Sequence, residues 1–168
     1  MYAMRFYVLG IPVTVTIDDY LSFTSNSLAN LQYGEQGKDG AMWMPILEKA
    51  AAKFYGNFEM LSGGMVGPTV QMLTGGPAYY HAHKEMNADT LFGMVKEKID
   101  NGWMVTCGSY RGPGSDQQQN AIGVPYMHGF SVIGAVELSN GAKLVKIRNP
   151  WGEETYHGDW SDGSSLWT

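Results

Sequence analysis

Two short stretches near the start of the chain, Arg5–Leu9 and Val13–Ile17, concentrate β-branched and aromatic residues, which predicts two strands. Gly10 and Pro12 lie between them as a turn signal, so the pair reads as a hairpin ended by Asp18-Asp19-Tyr20. Residues 22–40 are polar and Gly-rich and read as loop. Trp43, Ile46, Leu47, Ala50 and Phe54 then recur at helical spacing and predict a helix over 42–55. Asp39 is the expected cap at its start and Gly56 its stop, and Pro45 fits in the first turn, where a missing N–H leaves no bond unmade. Pro68–Leu73 reads as a short helical turn closed by Gly75-Gly76. Leu91, Phe92, Val95 and Ile99 mark another helix, capped by Asn87 or Asp89 and stopped near Gly102.

The pattern then shifts to strands: Trp103–Cys107, Phe130–Leu138 and Lys143–Ile147, with Asn140-Gly141 as a hairpin turn between the last two. Residues 111–127 form a Gly/Pro/Gln loop long enough to suggest function or mobility. Helices early and strands late predict an α+β fold, an antiparallel β-sheet with flanking helices.

Composition narrows the function classes. The 168 residues suit a single domain with a real core, and 44% are hydrophobic but only 16% charged. Low charge and 12% aromatic content suit a chain that buries surface against a neighbouring domain. The net charge of −5, without a basic cluster, argues against a nucleic-acid partner. No apolar run approaches the ~20 residues of a membrane span, and the opening MYAMRFYVLG does not read as a signal peptide. The one cysteine, Cys107, excludes an internal disulfide and points to a reducing, cytoplasmic setting. Both ends read as cuts through a longer protein.

The chemistry-bearing residues gather late in the chain, in HGFSVIGA from His128 and in KIRNPWGEE, which holds Asn149, Pro150 and Trp151. A histidine at a strand's mouth is rigidly held yet faces the domain edge, a good place for a general base. Taken alone, His128 reads more readily as a partly exposed loop residue. Asn149 ends the strand that pairs with the one His128 begins, so a hairpin brings the two side chains within reach. An Asn carbonyl can hold the Nδ1–H of an imidazole and set the ring without adding charge. Trp151 beside it can roof that bond against water. Each also has a plainer reading: Asn before Pro as a strand terminator, Trp as a core aromatic.

Cys107 sits inside WMVTC, which reads as a central strand. A reactive thiol needs exposure and a stabilised thiolate, so Cys107 is expected to be a buried structural residue and not a nucleophile. His81 and His83 lack the carboxylate or cysteine partners that would complete a metal site, and His157 reads as a surface residue.

Several stretches resemble the calpain family of papain-like cysteine proteases, in particular the second half of its protease core. TIDDYL from Thr16, WMPILEKAAAKFYG from Trp43, LSGG from Leu61, LTGG from Leu73 and LFGMVKEKIDNGWMVTC from Leu91 are similar to family stretches in the same order. HGFSVIGA is similar to the family's GHAYSVTGA, and IRNPWG, followed by Gly158, Trp160 and Asp162, to its most specific motif. The resemblance spans nearly the whole chain. It implies His128 as the catalytic histidine, Asn149 as the catalytic asparagine and Trp151 as their cover. It also implies a missing first half that carries the nucleophilic cysteine and the oxyanion-hole glutamine. Met127, Gly129 and Phe130 depart from the family's Gly, Ala and Tyr around the histidine. Thr155 replaces a glutamate that is a calcium ligand in this half of the family, while Asp162 matches another ligand. The resemblance therefore implies no metal or cofactor within these residues, with Ca²⁺ a possibility for the parent protein alone.

The expectation is a single His/Asn subdomain over 1–168. Its parent would be an intracellular cysteine endopeptidase acting on protein substrates, and its partner the Cys-bearing subdomain of the same polypeptide. The fragment would be inactive alone. The alternative is a calpain-like module that keeps the fold for binding or regulation without catalysis.

Overall fold

A computed structural model describes residues 1–24, 30–114 and 117–167. It is α+β, with two antiparallel sheets and flanking helices, and it divides into two compact units, Met1–Tyr80 and His81–Thr168.

In the first unit, strand β1 (Tyr2–Val8) pairs with β2 (Ile11–Ile17) across the two-residue turn Leu9-Gly10. Pro12 thus lies inside β2 and not in the turn. It faces Tyr7 in the pair next to the one that closes the turn, a non-hydrogen-bonded position, so its missing N–H removes no ladder bond. The sheet packs on helix α1 (Trp43–Tyr55) and helix α2 (Val66–Thr74). Phe6, Val15 and Ile17 meet Ile46, Ala50 and Ala51 of α1 and Met72 of α2 in the core. Phe6 is fully buried and meets the Phe54 ring at 5.3 Å. Pro45 sits in the first turn of α1, and the Gly56 N–H caps its end on the Ala52 carbonyl. Asp39 does not cap the helix: its carboxylate accepts from the Ala41 N–H and closes the turn before it. Trp43, at the edge of the apolar stripe, is 61% exposed.

In the second unit, helix α3 (Ala88–Asp100) precedes strands β3 (Val105–Gly108), β4 (Gly129–Glu137) and β5 (Lys143–Arg148), which lie in the order β3-β4-β5. Asn87 caps α3 by accepting from the Thr90 N–H at 2.8 Å. Asp89, the other cap candidate, instead pairs with Lys143 of β5 at 2.6 Å. That pairing holds the Asp89 carboxyl below the usual carboxylate range. Asn140-Gly141 falls inside the β4–β5 connection, which is closed by the Leu138 N–H on the Ala142 carbonyl.

Two expectations change here. Among the described residues β3 is an edge strand of a three-stranded sheet, so Cys107 has a strand on one side only. The apolar run WMVTC suggested a central strand, yet Trp103 and Met104 lie before β3 and are at least half exposed. The second concerns the long loop, in which residues 119–125 carry local structure. Gln119 and Pro125 form a bridge, and the Asn120 side-chain carbonyl accepts from the N–H groups of Ile122 and Val124. Pro125 is fully buried. An Asn side chain standing in for missing backbone partners gives an irregular segment the order that its composition did not announce.

Candidate active site

The site is built where β3, β4 and β5 end together. Beyond the Gly108–Gly129 pair, the Ser109 N–H donates to the His128 carbonyl at 2.9 Å, and the His128 N–H donates to Ser109 Oγ at 2.9 Å. These bonds carry the ladder one step past the strand and fix the histidine backbone. Met127 before it has φ +50, an uncommon conformation for a side-chain-bearing residue, and its N–H is held by the Tyr110 carbonyl. β5 ends at Arg148, paired with Ser131, and Asn149 follows at the His128 end of the hairpin.

The imidazole of His128 is buried, about 9% exposed, between three groups. Asn149 Oδ1 lies 2.9 Å from Nε2. The Phe130 ring stands edge-on at 4.8 Å and 87°, and the Trp151 ring leans over the imidazole at 4.5 Å and 45°. A carbonyl oxygen only accepts, so the hydrogen bond places a proton on Nε2 and leaves the Nδ1 lone pair open. The ring nitrogen held by Asn149 is therefore Nε2 and not the expected Nδ1, and it is Nδ1 that can take a proton.

Asn149 is itself held. Its Oδ1 also accepts from the Trp151 N–H at 3.2 Å, and its main-chain carbonyl accepts from Gly152 N–H at 3.2 Å, closing the Asn149–Gly152 turn. Pro150 pre-sets that turn, and Gly152 supplies φ +75. Asn149 Nδ2 is buried with no acceptor among the described residues.

Cys107 is half-buried, and burial pushes its thiol up from the ordinary value of 9.0. It pairs with Phe130 across the sheet and makes no hydrogen bond to His128 among the described residues. His81 and His83 are exposed and outside the site. Among the described residues no group of three or more His, Cys, Asp or Glu is placed to hold a metal ion. The Thr155 carbonyl lies 3.2 Å from Nδ1 of His157. No described helix is long and apolar enough to cross a membrane.

Sequence reasoning missed Ser109, which anchors the His128 backbone, while His157 is exposed as expected but has its ring Nε2 3.1 Å from the Ala121 carbonyl. Neither stands in a motif that announces it.

The profile described as calpain family cysteine protease matches residues 1–168. The chain is 33% identical over 175 residues to the calpain-type cysteine protease ADL1 of Oryza sativa subsp. japonica, covering 100% of this chain and 8% of that protein. It is 32% identical over 173 residues to the calpain-2 catalytic subunit of Homo sapiens, covering 99% of this chain and 24% of that protein. Calpain clp-1 of Caenorhabditis elegans matches at 32% over 171 residues, covering 99% of this chain and 21% of that protein. The chain therefore spans less than a quarter of the length of each of these relatives.

Proposed function

Because this chain belongs to the calpain family of cysteine proteases, we propose that it is the His/Asn half of a protease core and supplies the general base for peptide-bond hydrolysis. The observation that carries the reading is the Asn149 carbonyl on His128 Nε2 at 2.9 Å with Trp151 over the ring. In the assembled site, His128 Nδ1 takes the proton of a cysteine thiol supplied by the other half of the same polypeptide. The thiolate attacks the substrate carbonyl carbon. The imidazolium then gives its proton to the leaving amine, and an acyl-enzyme thioester remains. His128 next takes a proton from water, whose oxygen attacks the thioester and releases the acid and the thiol. Asn149 keeps the ring in the tautomer that accepts at Nδ1, and Trp151 shields that hydrogen bond from water.

The unpartnered Asn149 Nδ2 supports a site completed by another segment, since buried donors are ordinarily satisfied. The desolvated Cys107 on an edge strand is not the nucleophile. Substrates are proteins, and the unpaired thiol suits the cytoplasm. Any calcium requirement of the parent would rest on residues other than these.

The test compares the 168-residue chain with the parent protein on a fluorogenic peptide. The chain alone should cleave nothing. The parent should cleave, and His128→Ala should abolish its activity. Cleavage by the chain alone that is lost in Cys107→Ser would overturn the assignment of the nucleophile. A parent without a cysteine in a Trp-flanked, Gly-rich segment upstream, and without hydrolysis, would make this a binding module.

A further inference from the structure

His157 joins two segments that meet again at the proposed catalytic pair. Its main-chain N–H donates to the Ile122 carbonyl at 3.1 Å, and its ring Nε2 lies 3.1 Å from the Ala121 carbonyl. Nδ1 lies 3.2 Å from the Thr155 carbonyl of its own segment. Carbonyl oxygens only accept and a neutral imidazole carries one N–H, so the ring donates to one of the two carbonyls at a time, and Nε2–H is the donor that reaches the opposite segment. The approach is close: a Cβ on Gly123 would stand 1.8 Å from the Thr155 oxygen and 2.8 Å from His157 Nδ1. Gly123 also has φ +81, so glycine is required there twice over.

The segment leaving Gly123 runs through buried Pro125 to His128. The segment leaving Asn149 runs through Trp151 to His157. The chain is thus tied at two points, by His157 on Ala121 and Ile122 and by Asn149 on His128, with Trp151 held between them. We infer that His157 is a positioning residue that holds these two segments together, so that the His128–Asn149 bond and the Trp151 cover persist in solution. The inference rests on the reading of that pair as the protease base. A histidine suits this place because its ring Nε2–H can reach a carbonyl of the opposite segment. His157 is itself exposed, so its hold on the opposite segment is made in contact with water.

The experiment follows ring N–H exchange by long-range ¹H–¹⁵N spectra, in which the four histidines are separately observed. In the unaltered chain the Nε2–H of both His128 and His157 should exchange with water more slowly than the ring protons of His83, since His83 and His157 are both exposed but His157 Nε2 lies on the Ala121 carbonyl. His157→Ala should speed exchange at His128 Nε2–H by about tenfold, and Gly123→Ala should do the same while leaving the imidazole in place. His83→Ala should change nothing at His128. In the parent protease, His157→Ala should lower kcat about tenfold at nearly constant KM, and added imidazole should restore part of it. A purely structural role would lower the folded fraction without touching kcat per folded molecule, and imidazole would not rescue it. If His157 Nε2–H exchanges as freely as that of His83, the inference falls, and this needs no variant to fold. It falls equally if a folded His157→Ala keeps the exchange rate of His128 and the kcat. A parent with no peptidase activity would defeat the reading of the pair, while the exchange rates still decide the tie.

Discussion

Asn149 Oδ1 stands 2.9 Å from His128 Nε2, which leaves Nδ1 as the one ring nitrogen able to accept a proton. The relationship fixes both tautomer and rotation, because the same Oδ1 is tied to the Trp151 N–H. Asn149→Ala frees the ring to rotate and to carry its proton on either nitrogen. In the parent protease kcat should fall by roughly 10- to 100-fold with KM little changed, since the bond orients the base and does not hold substrate. Steady-state kinetics would show it. A loss confined to KM would mean that Asn149 contacts substrate instead.

Cys107 should be chemically quiet. Burial pushes its thiol above 9.0, so at neutral pH almost none is thiolate, the form that reacts. Alkylation by iodoacetamide should be much slower than that of a free cysteine and should speed up on denaturation. Cys107→Ser should leave kcat/KM of the parent unchanged. Fast modification of the folded chain, coupled to loss of activity, would reinstate Cys107 as a candidate nucleophile.

Which parts of this molecule could be read from its residues follows from what each signal measures. Apolar periodicity located α1 and α3 because core contact repeats with the helix, as Ile46 and Ala50 show. His128, Asn149 and Trp151 could be placed together because a hairpin joins the start of one strand to the end of the next. The ring nitrogen that Asn149 holds was not legible, because it depends on a side-chain rotation that no spacing encodes. Nor was the edge position of β3: an apolar run reports burial and says nothing of how many strands flank it. Pro12 read as a turn residue because a lost N–H looks fatal to a strand, yet it costs nothing at an outward-facing position. The His157 contacts are made to backbone carbonyls, which every sequence has, and so leave no mark in composition.

Glu48 gives a pH dependence that can be signed. Its Oε2 is buried without a partner among the described residues and would lie 2.6 Å from a Cβ at Gly34, near Leu21, Leu31, Tyr33 and Phe58. Desolvation raises this carboxyl above its ordinary value of 4.5. Just above 4.5 the folded state keeps a proton that the unfolded state has released, so stability falls as pH rises through this window and then levels off. Glu48→Gln removes the charge at similar volume and should stabilise the chain at pH 7. The gain should vanish in acid below the window, where Glu48 is neutral in both states. Urea melts at the two pH values measure it, and equal midpoints for variant and parent chain at pH 7 would refute the burial argument.

The β1–β2 turn offers a change of opposite sign at each of two adjacent residues. Leu9 and Gly10 have φ of +50° and +82°, the double positive φ of a type I′ turn, where Asn-Gly is the preferred pair. Leu9 is 99% exposed, so its side chain contributes no burial to offset the left-handed backbone. A β-carbon in that region costs about 1–2 kcal/mol, and Asn tolerates it better than Leu because its short polar side chain bonds locally. Leu9→Asn should therefore stabilise the first unit by about 1 kcal/mol. Gly10→Ala meets open space, with nothing within 4 Å of the added Cβ, so steric contact cannot destabilise it. Its cost is the backbone conformation alone, about 1 kcal/mol in the opposite direction. Because neither residue touches the core, both variants should shift the urea midpoint at unchanged m-value. Their double variant should return close to the starting stability if the two backbone terms add. Destabilisation by Leu9→Asn would show that the turn adopts another conformation in solution.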